Sequence, residues 1–264
     1  MSSPSFTSSI LVHLAELRDR LVRSVIAIAI TTVIALVFYN QVFAILTFES
    51  GITRPIFDYI VNVLHLTPPP VVQLYAIEMT ENFGVFMKVG LFTGIILVIP
   101  YLIYELVMFV SPALTTKERR YVYTILPWVA MMFIVGVIFA YFIILPPAIN
   151  FLLTFGSDIA IPQIRIENYV SVVTRLLLAV GLVFELPVLI TFLARIGVVS
   201  PKWLSEKRKW AIIIAFVIGG LITPTPDPVN QSLVSVPLYL LYEVSIWLAR
   251  IVYRKKKSPA PAVT

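Results

Sequence analysis

The sequence predicts an all-α integral membrane protein with six spans, and three observations carry that prediction. Hydrophobic residues make up 59% of the 264 and charged residues 13%, with a mean hydropathy of +0.95, a balance suited to a core built in lipid. Six apolar runs follow one another at 21–43, 83–110, 121–145, 169–196, 210–222 and 229–251, and all but the fifth reach or exceed the roughly 20 residues that cross a bilayer. The basic residues are also distributed unevenly. One set of connections and ends holds Arg18, Arg20, Arg23, Lys117, Arg119, Arg120, Arg195, Lys202, Lys207, Arg208, Lys209, Arg250, Arg254, Lys255, Lys256 and Lys257, whereas the alternate set holds only Arg54 and Arg165. An even number of spans with that bias predicts both termini in the cytoplasm.

Composition excludes several chemistries. There is no cysteine, hence no disulfide framework, thiolate nucleophile or zinc–cysteine site, and His13 and His65 cannot form a multi-histidine centre alone. Neither HExxH nor GxSxG occurs, so the chain is expected not to be an enzyme and to carry no metal or cofactor. The first nine residues lack a basic region, which argues against a cleaved signal peptide. The whole chain, 1–264, is expected to form one membrane domain.

Taken in order, residues 1–20 form a cytoplasmic lead-in. Within 10–23, Ile10, Leu14, Leu17 and Leu21 share one helical face, and Glu16, Asp19, Arg20 and Arg23 share another, with Glu16–Arg20 and Asp19–Arg23 as plausible i,i+4 pairs. The longest connection, 44–82, is external and contains Pro55 and the run Pro68, Pro69 and Pro70, so it is expected to form a cap of short pieces. Spans 2, 3, 4 and 6 contain Pro100, Pro127, Pro187 and Pro237, each of which removes a backbone donor and favours a kink. Bent helices of this kind can enclose a concave surface. Span 5 has only twelve apolar residues, 211–222, about 18 Å of helix, and requires a locally thinned bilayer. The tail 254–264 is expected to be disordered, and no internal repeat is visible.

A few polar residues interrupt this pattern. Glu118 stands three residues after Thr115, a capping box that accounts for it structurally while placing it on the same surface as Glu16. Lys88 and Arg175 lie about six residues from the external ends of their spans and can snorkel outward. Gly90 and Gly94 form a GxxxG suited to close helix contact. Glu105 is near the cytoplasmic end of span 2, where it is expected to reach water. Glu185 is deep in span 4 and Glu243 is expected at similar depth. A central acid costs about 2.5 to 3.5 kcal/mol, so each is a functional candidate. Pairing of Glu185 with Lys88, or with backbone freed by Pro187, is the structural alternative.

Four stretches, in order among the six spans, resemble the TatC family of the twin-arginine protein translocase: His13-Leu14-Ala15-Glu16-Leu17-Arg18-Asp19-Arg20; Phe109-Val110-Ser111-Pro112-Ala113-Leu114 leading to Glu118-Arg119-Arg120; Phe184-Glu185-Leu186-Pro187-Val188; and Thr223-Pro224 through Asp227 to Gln231. The resemblance implies a glove-shaped bundle with spans 5 and 6 short. It implies a receptor in a prokaryotic cytoplasmic membrane that binds the twin-arginine signal peptide of folded cargo through Glu16 and Glu118, with Arg18, Arg20 and Phe109 also involved. It further implies self-association and assembly with single-span TatA- and TatB-type subunits, driven by the proton-motive force, with Glu185 and Gln231 as docking positions and Pro55 and Asp227 as functional loop residues. The turn at 223–228 departs from the family pattern by an extra residue and a proline on either side of Asp227. The alternative is a proton-coupled secondary transporter using Glu185, Lys88 and Arg175 as a relay. No nucleic-acid partner is expected.

Overall fold

The computed structural model describes residues 6–49, 51, 53–64, 73–110, 116–155, 163–223 and 227–253, with backbone alone for 6–13, 61, 64, 107, 110 and 116–125. The capping Thr115, the prolines at 68–70 and 224–226, and the tail 254–264 lie outside the described residues.

Helix α1 (Phe6–Val37) fuses the amphipathic lead-in to the first span. It contains neither Gly nor Pro, so nothing in its sequence breaks the backbone ladder. A turn at Phe38 leads into α2 (Tyr39–Leu46), and α3 (Thr53–Leu64) and the two-residue strand β1 (Leu74–Tyr75) follow, so the described residues of the 44–82 connection fall in short pieces. Helix α4 (Glu81–Val110) is the second span, with Pro100 inside it.

The third span runs farther than its hydrophobic pattern suggests. Helix α5 (Thr116–Phe139), a π-helical turn (Ala140–Ile144) and α6 (Leu145–Thr154) are continuous past the expected end at 145. Pro146 and Pro147 have no N–H to offer the carbonyls of Phe142 and Ile143, and the π turn falls at that gap in the ladder. Strand β2 (Ile164–Arg165) then pairs in parallel with β1, Leu74 opposite Ile164 and Tyr75 opposite Arg165.

The fourth span is split into α7 (Ile166–Val183) and α8 (Leu186–Arg195), because Pro187 cannot donate to the carbonyl of Val183. Glu185 sits in the break. Helix α9 (Pro201–Glu206) starts at Ser200, whose hydroxyl accepts from the Trp203 amide, and α10 (Arg208–Ile222) follows directly. Helix α11 (Pro228–Val252) is capped by Asp227, which accepts from the Asn230 amide at 2.7 Å.

Among the described residues, five helical segments are long and apolar enough to cross a membrane: Leu14–Val37, Glu81–Leu106, Leu126–Thr154, Ile166–Arg195 and Pro228–Val252. Helix α10, with 15 residues, is shorter, as expected for span 5. The short sixth span that the resemblance implies is corrected: α11 has 25 residues, the apolar run at 229–251 extended by one residue at each end, with Pro237 accommodated inside it.

Two close contacts set the packing. A Cβ on Gly94 would lie 2.6 Å from the Thr32 amide nitrogen, and one on Gly90 would lie 2.2 Å from a Leu36 methyl carbon, so the GxxxG is where α4 lies against α1. These pairings, 94 with 32 and 90 with 36, fix an antiparallel register. The main core joins α2, α3, α4, the π turn and α7, and holds the buried rings of Phe48, Phe57 and Tyr141. The Tyr141 and Tyr169 hydroxyls donate to the carbonyls of Ile45 and Leu46 at the end of α2, where the Ile45 carbonyl also accepts the Phe48 amide. A second cluster of Ala194, Leu204, Ile246 and Ala249 ties α8, α9 and α11 together.

Candidate functional site

The antiparallel register of α1 and α4 places residues near the end of α4 beside the lead-in. If 94 faces 32, then 105 faces about 20 and 109 faces about 16, so Glu105 meets Arg20 and Phe109 is level with Glu16. The side chains follow. Arg20 donates to Glu16 Oε1 from Nη2 at 2.7 Å and from Nε at 3.1 Å, and to Glu105 Oε2 from Nη1 at 2.8 Å. The other Glu105 oxygen accepts the Tyr101 hydroxyl at 2.7 Å.

One guanidinium therefore spans two carboxylates. Only 6% of the Glu105 side chain and 18% of the Arg20 side chain are exposed, against 30% for Glu16, so the inner acid is sealed and the outer one faces the surface. Charge-assisted bonds of this kind are short and strong, and the planar fork of arginine fixes their directions where the rotating ammonium of lysine does not.

The remaining candidates fall elsewhere. The Glu16–Arg20 pair forms as expected, but Asp19 pairs with Arg18 at 3.1 Å, both exposed, and not with Arg23. Phe109 is half-buried near the end of α4. Glu118 is in the first turn of α5, and its side chain lies outside the described residues. Pro55 is exposed in the first turn of α3, where a proline costs no helical bond.

Glu105 was not expected here. Its predicted access to water is corrected by the structure, which buries it against α1. The signal that could have found it is the GxxxG, since the register it fixes aligns Glu105 with an arginine.

Glu185, in the break between α7 and α8, keeps an oxygen, Oε1, buried without a hydrogen-bond partner among the described residues. A buried acceptor left bare is costly. The alternative pairing with Lys88 does not form: the Lys88 ammonium donates to Glu167 Oε1 and Ser171 Oγ, both at 2.8 Å. Arg175 is exposed on α7 and makes no ion pair among the described residues. The three groups of the proposed relay are thus not joined by contacts.

Glu243, expected deep in span 6, lies within α11 and has partners that its sequence position alone did not indicate. Arg208, at the start of α10, clasps it with two bonds of 2.7 and 2.9 Å, and the Tyr239 hydroxyl donates to it at 2.8 Å. The reason is again register, because short α10 brings its first residue to the level of Glu243. Gln231 links the same two helices by donating to the Phe216 carbonyl at 2.8 Å. Asp227 accepts from both the amide and the side chain of Asn230, so its visible work is capping.

At the opposite end, Arg165 donates to Glu78 at 2.9 Å and to Glu81 at 3.4 Å, and these carboxylates, Glu78 first, hold its guanidinium above the ordinary value. Glu81 also accepts the amides of Ile77, Glu78 and Glu167, which fastens the β1–β2 pair to the start of α4. Among the described residues no group of three or more His, Asp or Glu side chains is placed to hold a metal.

Comparison with known proteins gives the same answer by sequence and by shape. Residues 12–237 match the family model described as Sec-independent protein translocase protein (TatC). A TatC protein of Desulforapulum autotrophicum is 42% identical over 93% of this chain and 86% of its own length, and one of Aquifex aeolicus is 39% identical over 93% and 96%. The TatCy protein of Bacillus subtilis is 34% identical over 96% and 93%. A crystal structure of a twin-arginine translocase receptor, TatC, superposes with a TM-score of 0.73 at 37% identity, covering 91% of this chain and 99% of that one.

Proposed function

The chain belongs to the TatC family of Sec-independent protein translocase proteins, and from that premise we propose that it is the receptor that binds twin-arginine signal peptides of folded cargo. Protein translocation through a membrane is the family's work, and this member carries the membrane-spanning helices for it.

One observation carries the receptor reading: the Glu16 carboxylate, at the surface end of the α1–α4 contact, already holds a guanidinium in a two-bond grip. Arg20 is a built-in stand-in for a cargo arginine. With Glu118 one connection away at the start of α5, two acids are available for a pair of arginines, and Phe109 gives an apolar surface level with Glu16. Arg18 is exposed on the same helix, where it can steer the approach of the peptide.

Six spans, a concave bundle and both termini on the cytoplasmic side complete the reading, with α10 as the short fifth span. The chain self-associates, single-span partners of the TatA and TatB types dock at Glu185 on the concave side and at Gln231 at the outer end of α11, and the proton-motive force drives transport. Pro55 acts in the external cap, and Asp227 holds the outer turn between α10 and α11.

The test is direct. Purified protein should bind a twin-arginine signal peptide at least tenfold more tightly than its twin-lysine counterpart, and Glu16→Ala with Glu118→Ala should remove that preference. Equal binding of the two peptides by the parent protein would sink the reading.

A further inference from the structure

A groove of about 460 Å3 lies between α8, α9, α10 and α11 and is almost wholly apolar. Leu186, Ile190 and Leu193 form one wall, and Ile214 and Ile218 of α10 form the other. Its polar end is the mouth, where Lys207 stands with Trp203 and Trp210.

Dimensions select the occupant. From Lys207 to Ile218 the groove follows α10 for eleven residues, about 16 Å, close to half of a hydrocarbon core of about 30 Å. Its depth is thus one leaflet. A hydrocarbon chain of one leaflet's depth matches that length, and the apolar walls suit it.

The mouth supplies the headgroup chemistry. Lys207 is exposed and makes no ion pair among the described residues, and neither indole N–H has a hydrogen-bond partner there. Lys202, Lys209 and Glu206 flank it in sequence, while Arg208 is committed to Glu243, which leaves the mouth net positive. Tryptophan and lysine at this level are suited to the bilayer interface.

We propose that this groove binds one phospholipid with an anionic headgroup, its phosphate held by Lys207 and the two indoles and one acyl chain lying between α8 and α10. The site rests on the six-span reading for its place in the basic-side leaflet and is independent of the receptor chemistry.

The experiment uses the whole chain in a neutral detergent, with Trp128→Phe and Trp247→Phe leaving Trp203 and Trp210 as the only two of the four tryptophans. Phosphatidylglycerol with brominated acyl chains is titrated in, and contact quenching is compared with that by brominated phosphatidylcholine. Saturable quenching is expected, about fivefold tighter for phosphatidylglycerol, the ratio that one basic side chain near an anionic headgroup supplies.

Lys207→Gln should bring that ratio to about one. Ala211→Phe, which fills the groove, should remove the saturable phase for both lipids. Quenching that rises without saturation and equally for both lipids would overturn the proposal, as would a ratio unchanged by Lys207→Gln; the latter comparison stands even if Ala211→Phe does not fold. Twin-arginine peptide binding on the same samples separates the two readings, because its absence with the lipid ratio intact would count against the receptor alone.

Discussion

At Glu105 a carboxylate that is 6% exposed faces an arginine 85 residues away in the chain. Arg20 would keep only its bonds to Glu16 if Glu105 were removed, and the Tyr101 hydroxyl would lose its acceptor. Glu105→Ala is expected to cost about 1 to 3 kcal/mol, the range for hydrogen bonds to charged groups, with Glu105→Gln costing less because an amide oxygen can still accept. Thermal unfolding in detergent would check the order; an alanine variant as stable as the parent would show that the pair contributes nothing. Glu185 makes a different demand, since its bare Oε1 lacks a partner within the described chain. Polar contacts between membrane helices average about 0.6 kcal/mol, so it should act as a reversible dock. Glu185→Ala should weaken crosslinking to the single-span partners while leaving signal-peptide binding unchanged, and loss of both together would instead mark a folding defect.

The contact between α1 and α4 depends on two missing side chains. Gly94→Ala would push a methyl to 2.6 Å from the Thr32 backbone, and the helices must separate to admit it. Gly84, on the same helix, has nothing within 4 Å of its would-be Cβ. The two substitutions should therefore have opposite signs: Gly94→Ala destabilising by about 1 to 3 kcal/mol, and Gly84→Ala neutral or stabilising by up to about 1 kcal/mol. Detergent melting curves of both variants would decide, and equal effects would mean that the GxxxG is not the contact. This pair also indicates what the sequence made legible. Apolar runs located the spans, and the GxxxG and Pro187 were visible as a close approach and a break. What was not visible was which side chains those features bring together. Glu105 was expected to reach water, and the partner of Glu243 was not foreseen, because Arg20 and Arg208 meet them only through helix register. The third span was read to end at 145, whereas the helix continues through a π turn and past Pro146 and Pro147. Short α10 and the length of α11 were both legible from the apolar runs at 210–222 and 229–251, and the short sixth span was implied by the resemblance alone.

Sidedness belongs to the whole chain, because each crossing reverses every connection after it. Helix α10 decides the parity. At 15 residues it is about 22 Å long, some 8 Å short of a normal core, and crossing would cost fractions of a kcal/mol per Å in bilayer thinning. That cost is offset by contact with α11: a Cβ on Gly219 would meet the Ser235 hydroxyl at 2.2 Å, and Arg208 grips Glu243. The chain has no cysteine, so a single introduced one is the only thiol available to a membrane-impermeant maleimide. In intact cells, cysteines replacing Ile56 in α3 and Val229 in α11, both exposed, should label from outside. Those replacing Glu206 and Ser258 should label only after the membrane is opened. If α10 did not cross, Val229 would lie on the same side as Glu206, and the single crossing by α11 would carry Ser258 outside. Labelling of Ser258→Cys in intact cells would therefore leave five crossings and remove the common side on which the termini and the Glu16 carboxylate are expected to meet the signal peptide.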